Sequence, residues 1–330
     1  SDLAGTMGLT GCASGSGAEG VKIGAVIHGL DNPFFVTMQQ GMTDAGAEYG
    51  ASVDVQAPSG NNDVKAQEAM LAAMAKDDYD CVIVDPFSAD ALNGGIAALT
   101  TEGTPVVNLD TPVDAAGLAA AGGTITAFIG SDNTAAGQMA GTALADALGT
   151  APTVGLIAGP EGNVASEDRI QGASQSLSGA TLDGPIPADW DTDKAQAAAT
   201  ALIDRNPSIG AIFAANDQMA LGVIQAVASS GKDILTVGVD GIQQMLDDVK
   251  GGTAHATVAQ YPYVMGRMGV EACIVAVQGG TVTAQVDSPI VLVTADNVDE
   301  VLASSPKPPG SYDDPYAALI RSEEHTSELQ

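Results

Sequence analysis

Basic residues are scarce in this chain. Eleven Lys and Arg stand against 41 Asp and Glu, a formal net charge of −30. Without a cationic surface to neutralise phosphates, a nucleic-acid partner is excluded. Long apolar runs are missing too. Nothing approaches the roughly 18 unbroken residues of a membrane-spanning helix. Cysteine is limited to Cys12, Cys81 and Cys273, too few and too scattered for a disulfide scaffold or a zinc cluster. Cys81, at a strand start, and Cys273, in a helix expected over 266–277, read as buried thiols, with a disulfide between them as the lesser alternative. His28, His255 and His325 are too dispersed for a metal site. Asp189, Asp191 and Asp193 lack a calcium loop's turn glycine, which is Lys194 here, and its bidentate glutamate, which is Thr200. The chain also has no Gly-x-x-x-x-Gly-Lys-Ser/Thr loop, no Gly-x-Ser-x-Gly elbow and no Gly-x-Gly-x-x-Gly after its first strand. An enzyme is not expected, nor a cofactor.

What is present is a repeating alternation. The 330 residues are 45% hydrophobic, enough for one large or two mid-sized packed units. From Val21, short apolar runs such as Ile23–Ile27, Cys81–Val84 and Val106–Leu109 alternate with alanine-rich helical stretches, the first near 34–49. A second series begins at Val154 and continues through Ile209–Phe213 and Ile234–Val239 to Thr257–Ala259. Continuous apolar strands between helices indicate a parallel sheet covered on both faces. The two series are related. Lys65-Ala66-Gln67 recurs as Lys194-Ala195-Gln196 and Ile83 as Ile212, at an offset of 129. The predicted fold is therefore α/β, two doubly wound parallel-sheet lobes from a duplicated unit, with one cleft between the carboxyl edges of their sheets.

Polar residues mark those edges. Asn32 follows the first strand, just before Pro33-Phe34-Phe35; Asp85, Asp110, Asn216 and Asp240 follow later ones, and Gln260 ends the last. Such groups are costly at a strand mouth unless they find partners, and planar amides, carboxylates and guanidinium groups suit adjacent hydroxyls.

The motifs Asn32-Pro33-Phe34-Phe35, Ile129-Gly130-Ser131-Asp132-Asn133 with Gly137, Phe213 to Gly222, Val237-Gly238-Val239-Asp240-Gly241 and Ala256 to Pro262 resemble the ribose-type periplasmic sugar-binding proteins, in order, over about residues 21–300. That resemblance implies the type I periplasmic binding fold, with lobes joined by three crossovers near Ser131, Gln260 and Pro289. It implies a monomeric receptor that closes on a monosaccharide or polyol and presents it to an ABC permease and ATPase. The alternative is a sugar-sensing extracytoplasmic receptor for a chemotaxis or kinase partner. By the same resemblance Asn32 bonds a hydroxyl, Phe34, Phe35 and Trp190 sandwich the ring, and Arg169, Asp110, Asn216, Asp240 and Gln260 form the polar rim. Two positions depart from the ribose binders: Thr111 replaces an arginine, and Asp85, also expected at the ligand, replaces an asparagine. Ribose itself is thereby put in question.

The ends differ in character from the body. Leu9-Thr10-Gly11-Cys12 resembles a bacterial lipobox, which implies lipidation at Cys12, export and a lipid anchor at the cell membrane, with upstream signal sequence missing. Arg321–Gln330 reads as a translated short-read sequencing adapter; without its one arginine and three glutamates the charge moves from −30 to −28. The expected organisation is 1–20 signal remnant and linker, 21–131 with 261–289 the first lobe, 132–260 with 290–305 the second, 306–320 a tail and 321–330 artefact.

Overall fold

The computed structural model describes residues 20–60, 63–149 and 152–320. Cys12 and Arg321–Gln330, which carry the lipidation and adapter readings, lie outside the described residues. The first sheet receives β1 (Lys22–Val26), β2 (Ser52–Gln56), β3 (Cys81–Val84), β4 (Val106–Leu109) and β5 (Ala127–Gly130). Between them run α1 (Pro33–Tyr49), α2 (Val64–Met74), α3 (Asn93–Thr101) and α4 (Ala115–Ala120). The second sheet receives β6 (Thr153–Ala158), β7 (Thr181–Pro187), β8 (Ile209–Ala214), β9 (Leu235–Asp240) and β10 (Ala256–Gln260). Its helices are α5 (Asn133–Leu148), α6 (Val164–Ser176), α7 (Thr192–Arg205), α8 (Asp217–Ser230) and α9 (Gln243–Gly251). Then come α10 (Pro262–Val277), β11 (Gln285–Asp287), β12 (Ile290–Val293) and α11 (Val298–Ser304).

The sheets have the orders β11-β5-β4-β3-β1-β2 and β12-β10-β9-β8-β6-β7. Strand for strand they are the same, and only the β10–β12 pair is antiparallel. The 129-residue offset now has a structural meaning: Lys65 and Lys194 lie in α2 and α7, and Ile83 and Ile212 in β3 and β8. Central strands β3 and β4 are buried at every residue, as a sheet covered on both faces requires, whereas edge strand β7 is buried at none. The chain passes from the first sheet to the second after Gly130, returns after Gln260 and passes again between Asp287 and Ile290. The first and third passages touch, Ser288 N donating to the Gly130 carbonyl at 2.7 Å.

Close helix pairs fix the faces that carry the site. A Cβ on Gly137 of α5 would stand 2.1 Å from the Arg169 carbonyl of α6, and one on Gly172 would stand 2.1 Å from the Thr134 carbonyl. The two backbones can approach only because both side chains are missing, which brings Arg169 beside the first turn of α5.

Cys81 and Cys273 are not free thiols. Their sulfurs are bonded, with Cα atoms 5.6 Å apart, tying β3 to α10 inside the first lobe. Packing of α10 across β3 and β4 brings together two residues 192 positions apart. The tail returns to this lobe: Tyr316 is fully buried and its hydroxyl donates to the Thr283 carbonyl at 2.7 Å. No helix among the described residues is long and apolar enough to cross a membrane.

Candidate functional site

A cavity of about 50 Å³ lies between the carboxyl edges of the two sheets. Eight of the ten residues expected at a ligand line it: Asn32, Phe34, Phe35 and Asp110 from the first lobe, and Arg169, Trp190, Asn216 and Asp240 from the second. The chain has five Phe and one Trp, so half of these rings meet at this one place. Phe34 and Phe35 are buried and packed edge to face, 5.1 Å between centroids. Pro33 starts α1 and sends the two adjacent rings off its first turn in different directions. Trp190 is half-buried and lies flat over Gly159, where a Cβ would come within 2.4 Å of the indole.

Three asparagines line the cavity from helix N-caps. Asn32 Oδ1 accepts from Phe34 N at 2.9 Å, Asn163 Oδ1 from Ser166 N at 3.0 Å and Asn216 Oδ1 from Met219 N at 3.0 Å. Each cap consumes the amide oxygen and thereby fixes which end of the amide is which. The NH2 ends are left as donors in the cavity wall. Asn163 was not among the expected residues; in sequence it shows only the ordinary signal of a helix start.

Arg169 is buried and held by four acceptors. Its Nε donates to Asn133 Oδ1 at 2.8 Å, Nη1 to the Ala215 carbonyl at 2.8 Å and to Asp240 Oδ1 at 3.1 Å, and Nη2 to Gln260 Oε1 at 2.9 Å. A guanidinium has five N–H donors, so one remains outside these four bonds. Burial pushes the Asp240 carboxyl up to about 8 against the opposing pull of Arg169, and Asp110 up to about 6. Behind Asp240, buried Asp217 accepts from Gly241 N at 2.6 Å, Ile242 N at 3.0 Å and Thr257 Oγ1 at 2.8 Å, which pins the turn that presents Asp240.

Among the described residues only Asp110, Asp189, Trp190 and Asp240 are non-glycines with positive φ, at 53°, 54°, 61° and 130°. Three of these four line the cavity. Such backbone costs about 1–3 kcal/mol per residue and persists where the surroundings enforce it.

Two expected residues stand behind the wall. Gln260 spends both ends of its amide on the protein, accepting from Arg169 and donating to Asn133 Oδ1 at 3.0 Å. Asp85 is fully buried; its Oδ1 accepts a long bond from Thr111 N at 3.4 Å and lies 3.5 Å from His28 Nε2. Its Oδ2 has no partner among the described residues, and burial, then the neighbouring Asp110, raises its pKa well above the usual carboxylate value. The two departures from the ribose binders, Asp85 and Thr111, are thus in contact. His28 and Thr111 take the places in the lining. His28 stacks on Phe35 at 4.3 Å, and burial lowers its pKa to about 4, leaving it neutral.

The arrangement offers amide and guanidinium donors, carboxyl acceptors and an aromatic wall from each lobe. No group of three or more His, Cys, Asp or Glu among the described residues is placed to hold a metal. Nothing in the lining pairs a nucleophile with a base. Hydroxyl-rich rings with C–H faces match this chemistry.

Known proteins share the arrangement's framework. The profile of the periplasmic binding protein domain matches residues 23–281. The D-allose-binding periplasmic protein of Escherichia coli K12 is 36% identical over 275 residues, covering 82% of this chain and 88% of its own. The ribose import binding protein of Bacillus subtilis 168 is 32% identical over 276 residues, covering 82% and 87%. Among solved structures, an ABC transporter periplasmic solute binding protein from Actinobacillus succinogenes 130z with bound D-allose superposes with a TM-score of 0.81 at 26% identity, covering 84% of this chain and 99% of its own.

Proposed function

Because the chain belongs to the periplasmic binding protein family, we propose that it is the sugar-binding component of an ABC importer, taking a monosaccharide or polyol in the cleft between its lobes. The observation that carries this reading is the cavity itself. Three capping amides, Arg169, Asp110 and Asp240 surround a space with Phe34 and Trp190 as walls from opposite lobes. In this reading Asn32, Asn163, Asn216 and the free N–H of Arg169 donate to ring hydroxyls, while Asp110 and Asp240 accept from them. Asp85 and Gln260 act one layer out, holding Thr111 and Arg169 in place.

Contacts from both lobes make the closed form the one that binds, and the three chain passages are the hinge. The cavity of about 50 Å³ is far smaller than the ~300 Å³ at which pockets for drug-sized ligands begin, as expected of lobes standing close over a small ring. The loaded receptor, lipid-anchored outside the cytoplasmic membrane and monomeric, would hand its sugar to a permease driven by an ATPase. Chemistry on the sugar has no place in this scheme.

A thermal-shift screen against pentoses, hexoses, polyols and inositols tests the reading. A ligand present at a hundred times its Kd adds about 2.7 kcal/mol to the native state and raises the Tm. A flat response to every member of the panel would overturn it.

A further inference from the structure

Beside the cleft lies a second cavity of about 280 Å³, several times the first. It too is an interlobe space. Thr37 and Gln40 of α1 face Leu246 of α9 across it, while Tyr261, at the return passage, and Pro306, at the start of the tail, contribute to its lining. Phe34 and Asp240 line both cavities, so the two spaces meet at the partition these side chains make.

Three observations define what this space can hold. First, the space is bounded by Phe34 and Asp240, which also bound the first cavity, while the Tyr261 hydroxyl is sealed inside the wall. Second, Asp240 is the only charged side chain in the lining, and its Oδ1 is already taken by Arg169. No Lys or Arg is there to balance a phosphate or carboxylate. Third, apolar Leu246, Val301 and Pro306 share the space with the amide of Gln40 and the hydroxyl of Thr37, the mixed character that suits a second sugar ring or a similar neutral group.

We propose that this cavity is a subsite for a neutral, oxygen-bearing substituent on the sugar held in the first, so that the receptor takes disaccharides or glycosides as well as free monosaccharides. The inference rests on the sugar-binding reading above. The substituent passes between Phe34 and Asp240, its ring lies against Leu246 and Val301, and its oxygens bond the Gln40 amide.

The test pairs each free pentose and hexose with its methyl and phenyl glycosides and its disaccharides, with affinities measured by calorimetry on the native protein and on two variants. Thr37→Trp fills the second cavity from a half-exposed helix position, and Gln40→Ala removes only the amide. At least one substituted sugar should bind within threefold of its parent or more tightly. Thr37→Trp should weaken that ligand tenfold or more while the parent stays within twofold, and Gln40→Ala should weaken a disaccharide severalfold. The subsite is overturned if free sugars bind and every substituted one is rejected, or if Thr37→Trp affects parent and substituted sugar alike. If neither kind binds the native protein, the sugar-binding reading falls with it.

Discussion

Glu271 provides a quantitative test of how the buried acids are linked to stability. It lies on α10 with a fully buried side chain, its Oε1 accepting from Tyr49 Oη at 3.2 Å and lying 3.2 Å from Arg267. Its Oε2 meets no donor, and Asp314 of the tail is the neighbour whose charge works against its ionisation. Burial first, and Asp314 second, push its pKa from 4.5 up to about 8. At neutral pH it therefore keeps its proton and can donate to Asp314. An acid whose pKa is higher folded than unfolded holds a proton that the unfolded chain has already released. Its contribution is complete below the unfolded value and is lost as pH rises toward the folded value, at about 1.4 kcal/mol per pH unit. Between pH 5 and pH 8 that amounts to about 3–4 kcal/mol. Glu271→Gln reproduces the shape of the protonated acid and cannot titrate. In urea unfolding followed by circular dichroism, wild type and variant should agree within about 1 kcal/mol at pH 5 and diverge by about 3 kcal/mol at pH 8, with the variant more stable. All other titrating groups are common to both proteins and cancel in the difference. Parallel stability profiles across this range would refute the assignment of a buried, protonated Glu271.

The remaining expectations concern the cleft and the disulfide. Arg169→Met strands four acceptors, Asn133 Oδ1, the Ala215 carbonyl, Asp240 Oδ1 and Gln260 Oε1, and should cost about 3–5 kcal/mol in urea unfolding, part of it regained in the double variant with Asp240→Asn; a loss under 1 kcal/mol would show these bonds to be idle. Trp190→Ala removes one wall and should weaken the bound sugar roughly ten- to hundredfold by calorimetry, an expectation that unchanged affinity would sink. Replacing Cys81 and Cys273 together by Ser should lower stability by about 2–5 kcal/mol, since the bond closes a loop of nearly two hundred residues; equal melting of wild type with and without reductant would contradict it.

Much of the fold was legible because burial on both faces of a parallel sheet leaves unbroken apolar runs such as Cys81–Val84, and because the duplicated unit repeats them. Edge strand β7, with Pro185 in it and no buried residue, carries no such run and was not anticipated. Asn32, Asp85, Asp110, Asn216, Asp240 and Gln260 stood out at strand ends, where position brings side chains to one cleft, whereas Arg169 and Trp190 were expected only from the resemblance. Position does not reveal direction, and this is why Asp85 and Asp110 look alike in sequence although one is sealed behind Thr111 and the other lines the cavity. Gln260, expected at the ligand for the same reason, has both ends of its amide on Arg169 and Asn133. Asn133 and Asp217, the supports of Arg169 and of the Asp240 turn, resemble any polar residue at a helix start. The Cys81–Cys273 bond depends on where α10 crosses β3, a distance that a separation of 192 residues does not encode.

The three capping asparagines bear on how such a receptor can change its diet. Asn32, Asn163 and Asn216 each begin a helix with one end of the amide and face the cleft with the other. A substitution at any of them by a residue other than Asp, Ser, Thr or Gly also removes a cap, a loss of about 1 kcal/mol before any ligand is considered. Thr111 and Trp190 start no helix through their side chains, and no hydrogen bond from either side chain binds the fold among the described residues. New specificities in a lineage, or in a laboratory library, should therefore accumulate first at these two unencumbered positions, while the asparagines give way only to other capping residues.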